Sequence, residues 1–452
     1  MFSAVRSLAV EKRGGEPESA SARFNLAGVR HQAQLRFCRE GEASWEASRE
    51  ARRWVRPDGW RESRAAGLAL ASRAKRFQMV RARIGHKRYT GTTTEFPPNY
   101  ECEGMMGDSF EASKKRSDEI RADLSVNPGK YCMLTGDRPT GRLHLGHYFG
   151  TIRERVALQN LGVTSRVIIA DYQVITDRDT TANIQDNVYN MVIDYLACGI
   201  DPEKTIIFTH SQVPALNQLM LPFLSLCTEA ELERNPTVKS EQEASGHALT
   251  GLLLTYPVHQ ACDILFCKGN IVPVGKDQLP HIEQTRQIAR RFNERYGHVF
   301  PEPEGLLTDA VLIPGLDGRK MSKSYGNAIS LAATAEETAK LIKKSQTDSE
   351  RFITFDPDNR PGVSALITTA SLCTGRGEQE IAEEIGNGGS GQLKKYVTES
   401  VNDFLAPIRE RRVELMGDMD YVKDVLREGN RRANEIANQT LEEVREAMGM
   451  VY

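Results

Sequence analysis

A chain of 452 residues with a formal net charge of −2, 40% hydrophobic and 27% charged, is long enough for two or three domains with cores of their own. The near-neutral balance excludes nucleic-acid binding over the whole surface but leaves room for a local basic face, and no apolar run is long enough to span a membrane. Eight irregularly spaced cysteines, of which Cys262 and Cys267 come nearest to a pair, give neither a disulfide framework nor a zinc site, so no metal-ligating set is expected from them.

The first 90 residues carry 17 Arg and 3 Lys against 9 acidic residues, and they hold all three tryptophans, Trp45, Trp54 and Trp60. Apolar residues there follow no sustained period, so residues 1–104 are read as an Arg-rich extension that is disordered or not part of the mature protein. Three readings stay open. Met1 to Val10, with one Arg and no acid, suits an organelle transit peptide, although Glu11, Glu16 and Glu18 argue against that for the whole segment. A basic arm on nucleic-acid phosphates is the second. An over-extended start, with Met79, Met105 or Met106 as the true beginning, is the third.

Residues 105–128 read as a charged helix, ended by Asn127-Pro128-Gly129. From there strand and helix alternate. Lys130–Leu134 reads as a strand, Thr135–Leu143 as turn and Gly146–Leu161 as helix. The β-branched runs Arg166–Ala170, Thr205–Phe208 and Ile271–Val274 read as buried parallel strands. Helical patterns over Ile184–Ala197, Leu216–Leu226, Gly251–Phe266 and Asp277–Tyr296 separate them. The pattern predicts an α/β fold, a Rossmann-type doubly wound parallel sheet over residues 129–324 with a helical insertion. Past Leu331 only helical periods remain: Ala335–Lys344, Ala365–Thr374, Gly391–Met416 and Tyr421–Met448. Residues 325–452 are therefore expected to be all-α, with Val401, Phe404, Leu405 and Ile408, and Val422, Val425 and Leu426, spaced to face a core.

Two short motifs carry the chemistry. His144-Leu145-Gly146-His147 lies between the first strand and its helix, where two imidazoles three residues apart share the opening turn. A helix N-terminus there offers free N–H groups to polyphosphate, and Gly146 leaves the backbone approachable. Lys320-Met321-Ser322-Lys323-Ser324, between Gly318 and Gly326, puts two ammonium groups in a glycine-flanked loop, suited to charge growing on a departing pyrophosphate.

HLGH followed by KMSKS resembles the class I aminoacyl-tRNA synthetases, whose signatures are HxGH and KMSKS, and the likeness runs from about Lys130 to the C-terminus. The intervening segments resemble the tryptophanyl members: Thr255-Tyr256-Pro257 with Asp263-Ile264-Leu265, Ile271 to Gln278 continuing into His281-Ile282-Glu283, Glu231 to Arg234, and Thr347-Asp348-Ser349. The resemblance implies ATP and Mg²⁺ as cofactors, L-tryptophan and tRNA(Trp) as partners, a homodimer, no membrane, and a cytoplasmic location, with organelle targeting by the extension as the alternative. It implies catalytic roles for His144, His147, Lys320 and Lys323. The ATP site it implies comprises Arg138, Thr140, Gly141, His144, Gly146, His147, Gly275, Asp277, Lys320, Met321, Ser322, Lys323 and Ser324. The tryptophan site comprises Tyr256, Gln260, Asp263, Val272, Val274 and Gln278. Physically, an indole is a large apolar ring with one N–H, and Asp263 on an apolar helix suits the buried acceptor that selects it.

Departures from the pattern keep alternatives open. Gln260 stands where the commoner tryptophanyl pattern is apolar, and a Gln-x-x-Asp arrangement occurs in tyrosyl enzymes. Arg138 replaces a neutral amide, and Lys239 is alone where relatives carry more lysines. The combination resembles an auxiliary branch of bacterial tryptophanyl enzymes. The C-terminal helices are expected to read tRNA, with Arg427, Arg431 and Arg432 as phosphate contacts or as a solvated face. Another HxGH nucleotidyltransferase needs no such tail, and a silent nucleic-acid-binding paralogue would lack one of the motifs.

Overall fold

The computed structural model describes residues 103–176, 182–245, 248–307, 313–319, 321–322 and 325–452. The Arg-rich extension before Glu103 lies outside them, as do Lys320, Lys323 and Ser324 of the second motif.

Five parallel strands make one sheet: β1 (Cys132–Asp137), β2 (Thr164–Ile169), β3 (Thr205–Thr209), β4 (Ile271–Val274) and β5 (Glu304–Leu307), in the spatial order β3-β2-β1-β4-β5. All five residues of β3 and all four of β4 are buried, as expected of strands covered on both faces. The chain builds outward from β1 to β3, then returns to β1's other side. That reversal opens a crevice beyond the carboxyl ends of β1 and β4.

Helices of eight residues or more are numbered in chain order. α1 (Glu103–Leu124) lies over the edge strand β5, where Ser117 Oγ accepts from Leu307 N at 2.9 Å and Arg121 donates to Leu307 O at 2.5 Å. α2 (Arg153–Leu161) follows a π-helical turn, Tyr148–Ile152. The extra residue of that turn sends Phe149 and Ile152 into the core and leaves Thr151 lining the crevice. α3 (Ile184–Ala197), α4 (Pro236–Ser245), α5 (Gly251–Leu265) and α6 (Leu279–Tyr296) complete the α/β part.

α7 (Ala335–Lys343), α8 (Pro361–Thr374), α9 (Glu378–Ile385), α10 (Gly389–Gly417) and α11 (Met419–Ala447) follow. They share their core with the sheet instead of closing one of their own. Val422, Val425 and Leu426 of α11 join Val188 and Val192 of α3 and Val397 and Val401 of α10. Further along α11, Ala433, Ala437, Leu441 and Val444 pack with Phe208 and Phe266 beneath the sheet. Between these halves stands Gly429, where a Cβ would lie 1.8 Å from the carbonyl oxygen of Ile207 in β3. Only a glycine lets the helix run so close to the strand. A buried ion pair, Arg412 to Asp194, ties α10 to α3.

The structure differs from the sequence expectation in several places. β1 continues through Thr135, Gly136 and Asp137, which read as turn, because β2 offers each a backbone partner. The helix expected over Gly146–Leu161 contains the π turn, and Leu216–Leu226 is split into Pro214–Gln218 and Met220–Leu224. β5, α4 and α9 were not anticipated. The six cysteines among the described residues, from Cys132 to Cys373, are all free thiols.

Candidate active site

A cavity of about 290 Å³, near the lower end of the small-molecule range, occupies the crevice. Its floor is the carboxyl ends of β1 and β4, from Leu134 to Arg138 and Val272 to Gly275. One wall is α5, which turns Tyr256, Gln260, Asp263 and Ile264 inward at the spacing of a single helix face. Thr237 and Glu241 of α4, which packs beside α5, also line the cavity. All six residues expected to hold the amino acid, Tyr256, Gln260, Asp263, Val272, Val274 and Gln278, line this one cavity, as do Arg138 and Gly275.

Asp263 is 3% exposed and its Oδ1 lies 2.8 Å from Nε2 of His210, itself fully buried. The His210 ring sits between His259, with centroids 4.7 Å apart, and Tyr172, at 6.3 Å and 20°. Burial pushes the His259 imidazole below its ordinary range, outweighing the nearby Asp263 carboxylate. Further along the same wall, burial and the Glu241 carboxylate push the Tyr256 phenol up, and its hydroxyl lies 3.4 Å from Nε2 of His281. Burial brings His281 down to about 4, so a neutral imidazole faces the cavity at neutral pH.

A second carboxylate borders the same space. Asp137 Oδ2 accepts from Arg155 at 2.6 Å and from the Tyr195 hydroxyl at 2.6 Å. Burial alone would raise this carboxyl, but the Arg155 guanidinium outweighs it and holds the pKa at about 2. Arg155 itself is 1% exposed yet borders the cavity. Its place could not be read from the sequence, because it depends on the phase that the π turn gives α2.

The two motifs meet in space. His144 caps the short turn Leu145–His147, its backbone N–H donates to His147 Nδ1 at 3.2 Å, and the two rings lie 3.9 Å apart. Residues 329–331, just past the second motif, pair with this segment: Leu145 N donates to Ile329 O at 3.0 Å and Leu331 N to Leu143 O at 3.0 Å. Met321 is buried, and its sulfur would be 3.4 Å from a Cβ at Gly146, with the His144 ring at 2.9 Å. A side chain at Gly146 would thus wedge apart the packing that joins the motifs, a reason for glycine beyond nucleotide approach.

Asn327, which sequence reasoning missed, organises the loop. Its Oδ1 accepts from Ser322 N at 2.7 Å and its Nδ2 donates to Asp317 Oδ1 at 2.7 Å. His144, Gly146, His147, Thr140, Gly141 and Asp277 do not line the cavity. They sit around its mouth on the turns after β1 and β4, with Thr140 N donating to Arg138 O at 2.8 Å and Gly141 at φ 138°, a conformation that favours glycine. Lys239 lies apart, beside Arg234 in a shallow surface depression. On α11, Arg427 pairs with Asp424, Arg431 with Glu428 and Glu435, and Arg432 donates to Pro202 O at 3.1 Å.

A family model described as tRNA synthetases class I (W and Y) matches residues 127–406. The tryptophan–tRNA ligase of Lactococcus lactis is 42% identical, over 72% of this chain and 99% of its own. That of Streptococcus pneumoniae is 43% identical, with the same coverage. Among solved structures, tryptophanyl-tRNA synthetase from Campylobacter jejuni, complexed with ADP and tryptophan, superposes with a TM-score of 0.63 at 32% identity, over 70% of this chain and 99% of that one. With more than half of its length matched and its relatives covered almost end to end, the chain belongs to the class I tRNA synthetases of the W and Y family, on the tryptophanyl branch.

Proposed function

We infer that this chain is a tryptophan–tRNA ligase that works in two steps within the crevice. In the first, the α-carboxylate of L-tryptophan attacks the α-phosphate of ATP in line, giving tryptophanyl-adenylate and pyrophosphate. In the second, a terminal ribose hydroxyl of tRNA(Trp) attacks the activated carbonyl and AMP leaves. Neither step needs a covalent enzyme intermediate, so positioning and electrostatics carry the catalysis.

The observation that carries this reading is one buried carboxylate, Asp263, on an α5 face that looks across at Val272 and Val274. A ring with a single N–H matches one acceptor among apolar walls. Tyr256, Gln278 and Gln260 border the space left for the amino group and side chain. The relatives named above favour tryptophan over the tyrosine that Gln260 had left open.

His144 and His147 hold the nucleotide phosphates over their turn, with Arg138, Thr140, Gly141, Gly275 and Asp277 around the mouth. Lys320, Met321, Ser322, Lys323 and Ser324 supply the loop that meets pyrophosphate as it leaves. Mg²⁺ would ride on the phosphates, where it neutralises their charge. Asp137 on the cavity floor is taken up by Arg155 and Tyr195, so it is not offered to the ion.

The C-terminal helices, residues 325–452, are proposed to read tRNA, although the acidic partners of Arg427 and Arg431 must exchange for phosphate first. A homodimer acting in the cytoplasm completes the proposal; light scattering of the purified chain tests the dimer. The deciding experiment is amino-acid-dependent ATP–pyrophosphate exchange across the twenty amino acids. Tryptophan should exceed tyrosine by far, and tyrosine as the best substrate would overturn the substrate assignment.

A further inference from the structure

Behind the cavity wall, three buried side chains from two elements converge: His210 at the end of β3, and His259 and Asp263 one helical turn apart on α5. Only Asp263 lines the cavity. We propose that His210 is a positioning residue for amino-acid selection, its Nε2–H holding the Asp263 carboxylate so that Oδ2 meets the ring N–H of the substrate. The proposal rests on the reading of the cavity as a tryptophan site.

The hydrogen bonds around the cluster assign its donors. The side-chain amide of Asn217 donates to two backbone carbonyls, His210 O at 3.3 Å and Val213 O at 3.2 Å. Its Oδ1 therefore points the other way, as an acceptor, and lies 2.7 Å from His259 Nε2. His259 must carry its hydrogen on that nitrogen, directed at Asn217 and away from Asp263. A carboxylate only accepts, so the 2.8 Å contact between His210 Nε2 and Asp263 Oδ1 is a donation from His210. His210 Nδ1 has no hydrogen-bond partner, and the same imidazole donates nothing elsewhere among the described residues. One donor thus serves Oδ1, while Oδ2 makes no hydrogen bond to the described residues.

The consequence concerns direction. The terminal torsion of an aspartate is broad and nearly two-fold, so a lone buried carboxylate points its oxygens over a wide range. A donor seated on Oδ1 removes that freedom and fixes the plane in which Oδ2 presents its lone pairs. His210 can do this because it is itself clamped: stacked by Tyr172, packed against the tilted His259 ring and gripped through its carbonyl by Asn217. It touches no substrate, since it lies behind the wall.

The test uses the full chain and compares tryptophan with its benzothiophene analogue, in which sulfur replaces the ring N–H, by ATP–pyrophosphate exchange. In the wild type the ratio of kcat/KM values favours tryptophan. His210→Leu should lower that ratio by about 10- to 100-fold, through KM for tryptophan, with the analogue little affected. His210→Asn, too short to reach Oδ1, should do the same and serves if the leucine variant does not fold. His210→Gln, which can donate an amide N–H, should recover most of the preference. Equal losses for both substrates, or an unchanged ratio in folded Leu or Asn variants, would overturn the proposal. So would one equivalent of a divalent metal in the purified wild type, because a metal needs the lone pair of the nitrogen that here carries the hydrogen. A wild type without preference for tryptophan over the analogue would sink the reading of Asp263 itself, which separates that failure from this one.

Discussion

Asp137 on the floor and Asp263 on the α5 wall border the same cavity, and each has one oxygen engaged by a buried partner. The partners differ. Asp137 meets a guanidinium that stays charged at any ordinary pH, with a phenol beside it, and these hold β1 to α2 and α3. Asp263 meets an imidazole through a single hydrogen bond. A carboxylate neutralised by a permanent cation is structural: it fixes the strand end from which Arg138 and the first motif depart. A carboxylate steadied by one imidazole keeps an acceptor in hand for a visitor. The same residue type therefore serves architecture on the floor and selection on the wall.

The largest effect expected from breaking this contrast is on Asp137's side. Arg155→Met leaves a buried carboxylate without its cation, and removing one partner of a buried pair typically costs about 3–5 kcal/mol. Urea denaturation should register that loss in folding stability, whereas His210→Gln should leave stability nearly unchanged. A fully stable Arg155→Met would mean that Asp137 is solvated and the contrast is false.

Charges that meet only the transition state form a third kind. Lys323→Ala should slow adenylate formation by ~10²–10³-fold, the usual loss for one preorganised group, with KM for tryptophan close to wild type. Transfer from preformed adenylate to tRNA should be spared, because pyrophosphate has already left. Pre-steady-state rates separate the steps, and a defect confined to transfer would reassign the loop to tRNA docking.

Asp263→Ala should weaken tryptophan activation by about 1–3 kcal/mol while ATP binding barely changes. Equal damage to both substrates would make Asp263 as architectural as Asp137.

The smallest effect is a matter of slope. Asp137 has a folded-state pKa of about 2, below its ordinary 3.8, so its contribution is fully present above pH 4 and is lost as pH falls towards 2. Between pH 5 and pH 3 the loss should be about 1 kcal/mol by linkage. Denaturation curves at the two pH values should show it in the wild type and not in Asp137→Asn.

How much of this was written legibly in the chain follows the range of the interactions. The β-branched runs gave β2, β3 and β4, and the period of Tyr256, Gln260 and Asp263 gave one wall of the cavity. β5 stayed hidden because Glu304–Leu307 is a strand only by virtue of lying beside β4. The π turn stayed hidden because no local signal marks an extra residue in a helix. At the site, residues that touch the cavity along one helix could be placed, and those that act from another element could not. His210 pairs with a residue 53 positions away, and the bridge between His144 and Ser330 spans far more of the chain. Asp137 was read as part of a turn because its partners, Arg155 and Tyr195, arrive from two different helices.

One bond ties the far end of the molecule to this pocket. Asn430, next to Gly429 on α11, accepts with its Oδ1 from the backbone N–H of Thr209 at 2.9 Å. Thr209 is the residue before His210. The closest approach of helix to strand is thus a fulcrum, with the bundle-packed start of α11 as one arm and the imidazole behind Asp263 just beyond the pivot. A tilt of that first arm cannot leave the pivot untouched, since there is no gap at Gly429 to absorb it. In mechanical terms, the last helix is geared to the strand end that carries His210.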